Sequence, residues 1–379
     1  MRISIKCKIG FISNRGNMVL FILLLLSLSL RLYAHCGSEH SDITGKAIRN
    51  YKTWVSEDPD NRVGSDALTT YWIDVVNGSV DEDYPTYEAP WLEHYMDPDT
   101  GQGLWGNRSA FLRASDHWSN ALDEYEDGHY STAYHWLGRV IHLVEDMAVP
   151  AHVLLDPHWH IIWPITDPDW YEATYIEDHR LDETDISEID DAFILWTVMY
   201  NLAEKADNFD SNDEDGEDPG SGVDRSDGFT DSEGAIIANA CYREAIKSAS
   251  SVLRMFYEII LPDVQFLDPS DGDIHSGIIG VPLEAQAKAY NKEYSDSWCI
   301  KKIDFYFTTT DIPDADDWTL IGSSVEPDDD DKFRYTWNNS IDDDLIWIRA
   351  ISFDDGNCES KYSYKKWIRI DSTRPTLEW

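Results

Sequence analysis

Positive charge is scarce in this chain. Its 379 residues carry 30 Lys+Arg against 72 Asp+Glu, a formal net charge of -42. That imbalance excludes a nucleic-acid binder working through a basic surface, because phosphate backbones are gripped by clustered Lys and Arg. Cysteine is scarce too. Five residues are too few for a disulfide scaffold. No apolar run reaches the roughly 20 residues a spanning helix needs; the longest, Val19 to Leu30, has 12. What the chain has in quantity is apolar and aromatic residues, 42% and 13%, which exclude a disordered acidic tail. It also has 12 His, ten of them between His35 and His160. Crowded imidazoles in an acidic chain point to a metal.

The N-terminus reads as an export signal. Arg2, Lys6, Lys8 and Arg15 precede the apolar run, and Ala34 offers a small residue for cleavage. Removing residues 1–34 takes away five basic residues and no acid, which leaves a net charge of -47. The expected location is therefore secreted, cell-surface or periplasmic. Such a compartment permits disulfides, and Cys299 with Cys358 is the first-choice pair.

Periodicity divides the remainder. Residues 35–262 read as helical: 41–56, 108–126, 131–148, 190–206 and 233–260 each carry a helical apolar stripe, with Ser131 as the expected N-cap of the third. The acidic stretch 208–231 reads as an exposed loop, where Asp210, Asn212 and Glu214 raise calcium as a further ion. From 263 to 379 the period is two. Ile303, Phe305 and Phe307 alternate with polar residues, as do Phe333, Tyr335 and Trp337, and Ile346, Ile348 and Ala350. The expected fold is multi-domain: a mostly α-helical domain followed by an all-β sandwich. The spacing of turns in the second part resembles bacterial immunoglobulin-like modules appended to secreted enzymes.

The chemistry concentrates in Trp136 to Val153, "WLGRVIHLVEDMAVPAHV". His142 and Asp146, four apart, project from one helical face and can share a divalent ion. Pro150 ends that helix and places His152 on the exit turn.

These residues, together with "EHSDITGKAI", "GSVDEDY" and "EHYMDPDTG", resemble the zinc-dependent phospholipase C and single-strand nuclease superfamily. The resemblance covers most of residues 35–260. It implies three zinc ions. Asp83, His94, His142 and Asp146 would hold one. Asp146 would bridge to a second, held also by His40 and the free terminus at His35. His152, His158 and Glu172 would hold the third, with His160 and Asp169 as rivals to the last two. It also implies a hydrolase of phosphodiesters, with Asp83 orienting or deprotonating the attacking water and with Tyr84 and Trp91 near a headgroup.

A phospholipid or membrane surface is the first expected substrate. Single-stranded nucleic acid is the alternative, and a non-catalytic zinc-binding surface or adhesion protein is the third reading. A monomer is expected. His135 reads as core packing. His117, His129, His179 and His275 lack sequence partners and read as surface residues.

Overall fold

The computed structural model describes residues 36–57, 65–83, 90–156, 189, 194–209, 231–276, 280–310, 317–338, 345–360, 363 and 365–371. The elements are helical first and strands afterwards. The helices are α1 (Cys36–Glu57), α2 (Ser65–Asp81), α3 (Ala110–Glu126), α4 (Tyr130–Asp146), the single turn α5 (Pro150–Val153), α6 (Leu195–Ala206) and α7 (Asp231–Ile260). The strands are β1 (Asp263–Asp268), β2 (Ile274–Ser276), β3 (Val281–Lys288), β4 (Ile300–Thr308), β5 (Thr319–Ser324), β6 (Phe333–Trp337), β7 (Leu345–Asp354) and β8 (Lys366–Asp371). Among the described residues no helix is long and apolar enough to cross a membrane.

Helix α4 is the centre of the helical part. From Leu137 to Asp146 every residue except Arg139 is buried. A helix buried all round must be apolar all round or carry polar groups that are put to use. Here the exceptions to apolarity are His142, Glu145 and Asp146. α2 lies against α4 at very short range. A Cβ on Gly138 would stand 2.0 Å from the Val75 carbonyl oxygen, and one on Gly78 would stand 2.0 Å from that of His135. The two glycines face each other and let the backbones touch.

The strands form a sandwich. A three-stranded antiparallel sheet, in the order β1-β3-β6, packs on a five-stranded sheet in the order β2-β8-β7-β4-β5. β2 joins β8 in parallel and the other pairings are antiparallel. The period-two pattern faces inward as expected. Ile303, Phe305, Phe333, Trp337, Ile346, Ile348 and Ala350 share one buried core, with Phe307 and Tyr335 packed against it.

Two local expectations need correction. The N-cap of α4 is His129, and Ser131 lies inside the first turn, where its hydroxyl donates to Asp74 Oδ1 at 2.7 Å. Cys299 and Cys358 are separate, buried free thiols. Cys358 belongs to the helical core, not the sandwich core, because the turn after β7 carries it into the helices. Cys299 instead closes the 3-10 turn Tyr294–Cys299 that leads into β4.

Candidate metal centre

Five segments converge on one buried cluster. α1 brings His40 in its second turn, next to buried Glu39. The turn that ends α2 brings Glu82 and Asp83. The 3-10 turn Pro90–Glu93 is followed directly by His94. α4 brings His142 and Asp146, and α5 brings His152. After Asp146 the chain tightens: the N–H groups of Met147, Ala148 and Val149 bond three residues back, to Val144, Glu145 and Asp146. Pro150 then starts a new turn, where its missing N–H costs nothing. That turn is tied to the His94 segment, since Met96 N donates to the His152 carbonyl at 3.1 Å.

Three of the four imidazoles are oriented by an oxygen that accepts from Nδ1. His142 Nδ1 donates to the Ser79 carbonyl at 2.7 Å, His152 Nδ1 to the His94 carbonyl at 2.9 Å, and His40 Nδ1 to Glu145 Oε2 at 2.7 Å. Glu145 is held in turn by the Thr44 hydroxyl at 2.7 Å. With the proton on Nδ1, Nε2 is the lone-pair nitrogen in all three rings. His40 and His142 stack at 3.8 Å between centroids, and both reach Asp146 from Nε2, at 3.6 and 3.4 Å.

Four ligand atoms define a compact polyhedron. His94 Nδ1 lies 3.2 Å from His142 Nε2 and 3.0 Å from Asp146 Oδ2. His142 Nε2 lies 3.4 Å from Asp146 Oδ2 and 3.4 Å from Asp83 Oδ1, and His94 Nδ1 lies 3.9 Å from the same Asp83 oxygen. Ligands about 2.0–2.1 Å from a tetrahedral zinc stand about 3.3–3.4 Å from one another. The observed edges bracket that value. A second triplet, His40, His142 and Asp146, also brings its ligand atoms within 4.8 Å of one another.

The donor set fits a divalent ion on independent grounds. Both carboxylate oxygens of Asp146 are buried without a hydrogen-bond donor, as are Asp83 Oδ2 and His94 Nε2. Buried polar atoms without partners are costly, and a cation satisfies carboxylate oxygens. The electrostatics agree. Burial and the His40 ring both depress the His142 imidazolium, yet Asp146 and Asp83 outweigh them and raise it to about 9. Burial works against ionised Asp146, yet His142, His152 and His94 hold it well below the carboxylate range. Asp83 stays above its ordinary value through burial, reinforced by Asp146 and opposed by the three imidazoles. Carboxylates and imidazoles crowded this closely compete for protons that a divalent ion would replace.

Of the residues expected from sequence, the structure brings together His40, Asp83, His94, His142, Asp146 and His152. His35, Tyr84, His158, His160, Asp169 and Glu172 lie outside the described residues, as does the loop with Asp210, Asn212 and Glu214. Trp91 falls in the 3-10 turn Pro90–Glu93, and its side chain lies outside the description.

Sequence reading misses a charged hub behind this cluster. His117 is buried, not on the surface, because it donates from Nε2 to Glu82 Oε1 at 3.0 Å. Glu82 also takes Arg113 Nε on the same oxygen and Arg139 Nη1 on the other, at 2.7 Å in the second case. Burial alone would raise Glu82, but His117, His94 and Arg113 hold it far below the carboxylate range. Its partners are 31, 35 and 57 residues away, so no local spacing marks the hub. His129 is exposed as expected, while His135 is only partly buried, 3.6 Å from Asp81.

No family model matches this chain, and no curated protein matches it. Solved structures do. The chain is similar to clostridial alpha toxins. The alpha toxin of Clostridium absonum is 17% identical, with 91% of this chain and 99% of that one covered and a TM-score of 0.46. The alpha-toxin of Clostridium perfringens from avian strain SWCP is 14% identical, with 88% and 97% covered and a TM-score of 0.46. The fibronectin(III)-like modules of Clostridium thermocellum CbhA are 21% identical over 32% of this chain and 51% of that one, with a TM-score of 0.22. At these TM-scores the chemistry has to be read from the side chains themselves.

Proposed function

We propose that this protein is a secreted, zinc-dependent phosphodiester hydrolase of the phospholipase C type. One observation carries the metal reading: Asp83, His94, His142 and Asp146 present four ligand atoms, five of whose six separations run from 3.0 to 3.9 Å, in a cluster of nitrogen and oxygen donors without sulfur that is buried except at Asp83. That chemistry suits hydrolytic zinc. When bound, the ion supplies Lewis acidity and acidifies water near neutral pH.

The chain's own groups account for the remainder. Asp83 turns Oδ1 toward His94 and His142, while its buried Oδ2 has no hydrogen-bond partner. Oδ2 is thus available to orient an attacking water and accept its proton. The orienting bonds at Ser79, His94 and Glu145 keep the imidazoles from rotating as charge builds on the substrate. His35, His158 and Glu172 complete the proposed ligand set for three ions, and Tyr84 and Trp91 the headgroup wall. The phosphodiester specificity comes from the motif resemblance around His40, Asp83, His94 and His142.

The test uses the mature protein. Metal analysis should find about three zinc ions, and phosphatidylcholine in mixed micelles should be cleaved with loss of activity in chelator and recovery on zinc. Asp83→Asn should fold and turn over at least about 100-fold more slowly. Cleavage of single-stranded DNA alone would give the nuclease reading, and stoichiometric metal with neither activity would give the non-catalytic one.

A further inference from the structure

We propose that Glu82 is the positioning residue of this metal centre. It presents a carboxylate to the outer nitrogen of His94 and anchors the backbone that delivers Asp83. The inference rests on the metal reading given above and extends it to residues outside the ligand set.

His94 differs from the other three imidazoles. His40 and His142 point Nε2 at Asp146 and His152 is braced at Nδ1 like them, whereas His94 points Nδ1 inward, toward Asp146 Oδ2 at 3.0 Å and His142 Nε2 at 3.2 Å. Its lone pair is therefore required on Nδ1 and its proton on Nε2. That Nε2 is buried and lacks a hydrogen-bond partner, and Glu82 Oε1 faces it at 3.8 Å. A shift of under about 1 Å makes this a normal bond. A carboxylate behind a metal-binding histidine fixes its tautomer and raises its basicity.

Glu82 is itself held without freedom. Its side chain is fully buried. Arg113 and Arg139 take its two oxygens from α3 and α4, and His117 adds a third donor. Arg113 continues to Glu93 Oε2 at 3.3 Å, next to His94 in the chain, and Arg139 lies over the Trp136 ring at 5.3 Å. Glu82 immediately precedes Asp83. One clamped side chain thus fixes two of the four ligands, one through space and one through the backbone. Two arginines around one carboxylate is more charge than a lone structural ion pair needs, and the arrangement places that positive charge behind the cluster that holds Asp83 and Asp146.

The experiment compares full-length mature wild type with Glu82→Gln, first for zinc stoichiometry and then for zinc affinity by chelator competition. The expected result is a folded variant, by circular dichroism, in which one zinc is bound about 10- to 100-fold more weakly. Wild-type stoichiometry and affinity within twofold would overturn the positioning role. Removing the charge that two partly buried arginines share also threatens the fold. A second measurement therefore uses zinc-loaded, 15N-histidine-labelled wild type. Its His94 resonance, assigned with His94→Gln, should show a protonated Nε2, shifted downfield and slow to exchange. A protonated Nδ1 would overturn the proposal without any Glu82 variant. If wild type itself bound no stoichiometric zinc, the metal reading would fall first.

Discussion

The hydroxyl of Tyr125, on α3, donates a 2.6 Å hydrogen bond to Oδ2 of Asp354, the last residue of β7, 229 positions away. Both side chains are buried. Asp354 Oδ1 takes the backbone N–H of Cys358 at 2.8 Å, which closes the turn that enters the helical core. The strand that runs through the middle of the sandwich therefore ends among the helices. Tyr51, Tyr134 and Tyr257 surround that turn, and burial raises all three phenols. A β part joined by one short linker would be expected to swing. This one is pinned by a polar group inside the other part's core.

The pin should respond to pH. Burial is the largest influence on Asp354 and pushes its carboxyl from an ordinary value of 3.8 to about 7, despite donors from Tyr125, Cys358 and Gly356. The folded state thus takes up a proton that the unfolded chain has released. The stabilising contribution is complete below about pH 4 and is lost as pH rises through about 7. Asp354→Asn keeps the shape and removes the charge. Chemical denaturation at pH 5 and pH 8 should show the wild type losing on the order of 1–4 kcal/mol more than the variant over that interval. Equal losses would contradict a titrating Asp354.

Tyr125→Phe should act in the opposite sense on the same group. It removes a donor that favours the ionised carboxyl, so the pH midpoint of the Asp354 contribution should move above 7. The lost bond to a buried carboxyl should cost about 1–3 kcal/mol at pH 8. Comparing the stability–pH curves of the two variants separates loss of the charge from loss of its partner.

Chelation should unfold the helical part at a lower temperature. Asp146, Asp83 and four imidazoles are packed within a few ångströms, and several of their atoms have no other partner. An ion present at 1,000 times its Kd stabilises by about 4 kcal/mol. For a unit the size of the helical part, residues 35–262, that is about 10 °C in Tm. Calorimetry with and without chelator checks it, and adding zinc back should restore the upper transition.

The ligand helix was open to sequence reading because its signal is local. His142, Asp146, Pro150 and His152 sit at spacings that only an α-helix and an abrupt exit make meaningful. The alternating strands were legible for the same reason, since Phe305 and Ile348 declare their faces by period alone. The helix Ser65–Asp81 carries a weaker signal, because Trp72 and Ile73 are exposed and blur its apolar stripe. The Glu82 hub and the Cys358 turn were hidden for a different reason. Each depends on partners that meet only after the chain has folded, and a buried charge looks like a surface charge until its partner is known. His117 shows the cost: without Glu82 in view it reads as decoration.

Gly138 joins the packing to the chemistry. A methyl group there would meet the Val75 carbonyl oxygen at 2.0 Å and Ser79 N at 2.8 Å, both backbone atoms of α2 that cannot swing aside. Gly138→Ala must therefore push α2 away from α4. Ser79 moves with α2, and its carbonyl is what holds His142 Nδ1. The turn carrying Glu82 and Asp83 follows in the same chain. The substitution should cost at least about 1–3 kcal/mol in stability from overpacking. It should also weaken zinc binding, although the residue touches no ligand. Val140, equally buried on the same helix, provides the control. Val140→Ala should lower stability by a similar amount through a cavity, while leaving the α2–α4 contact and zinc affinity close to wild type. Zinc affinity that falls equally in both variants would mean that the centre responds to stability alone and not to the spacing of these two helices.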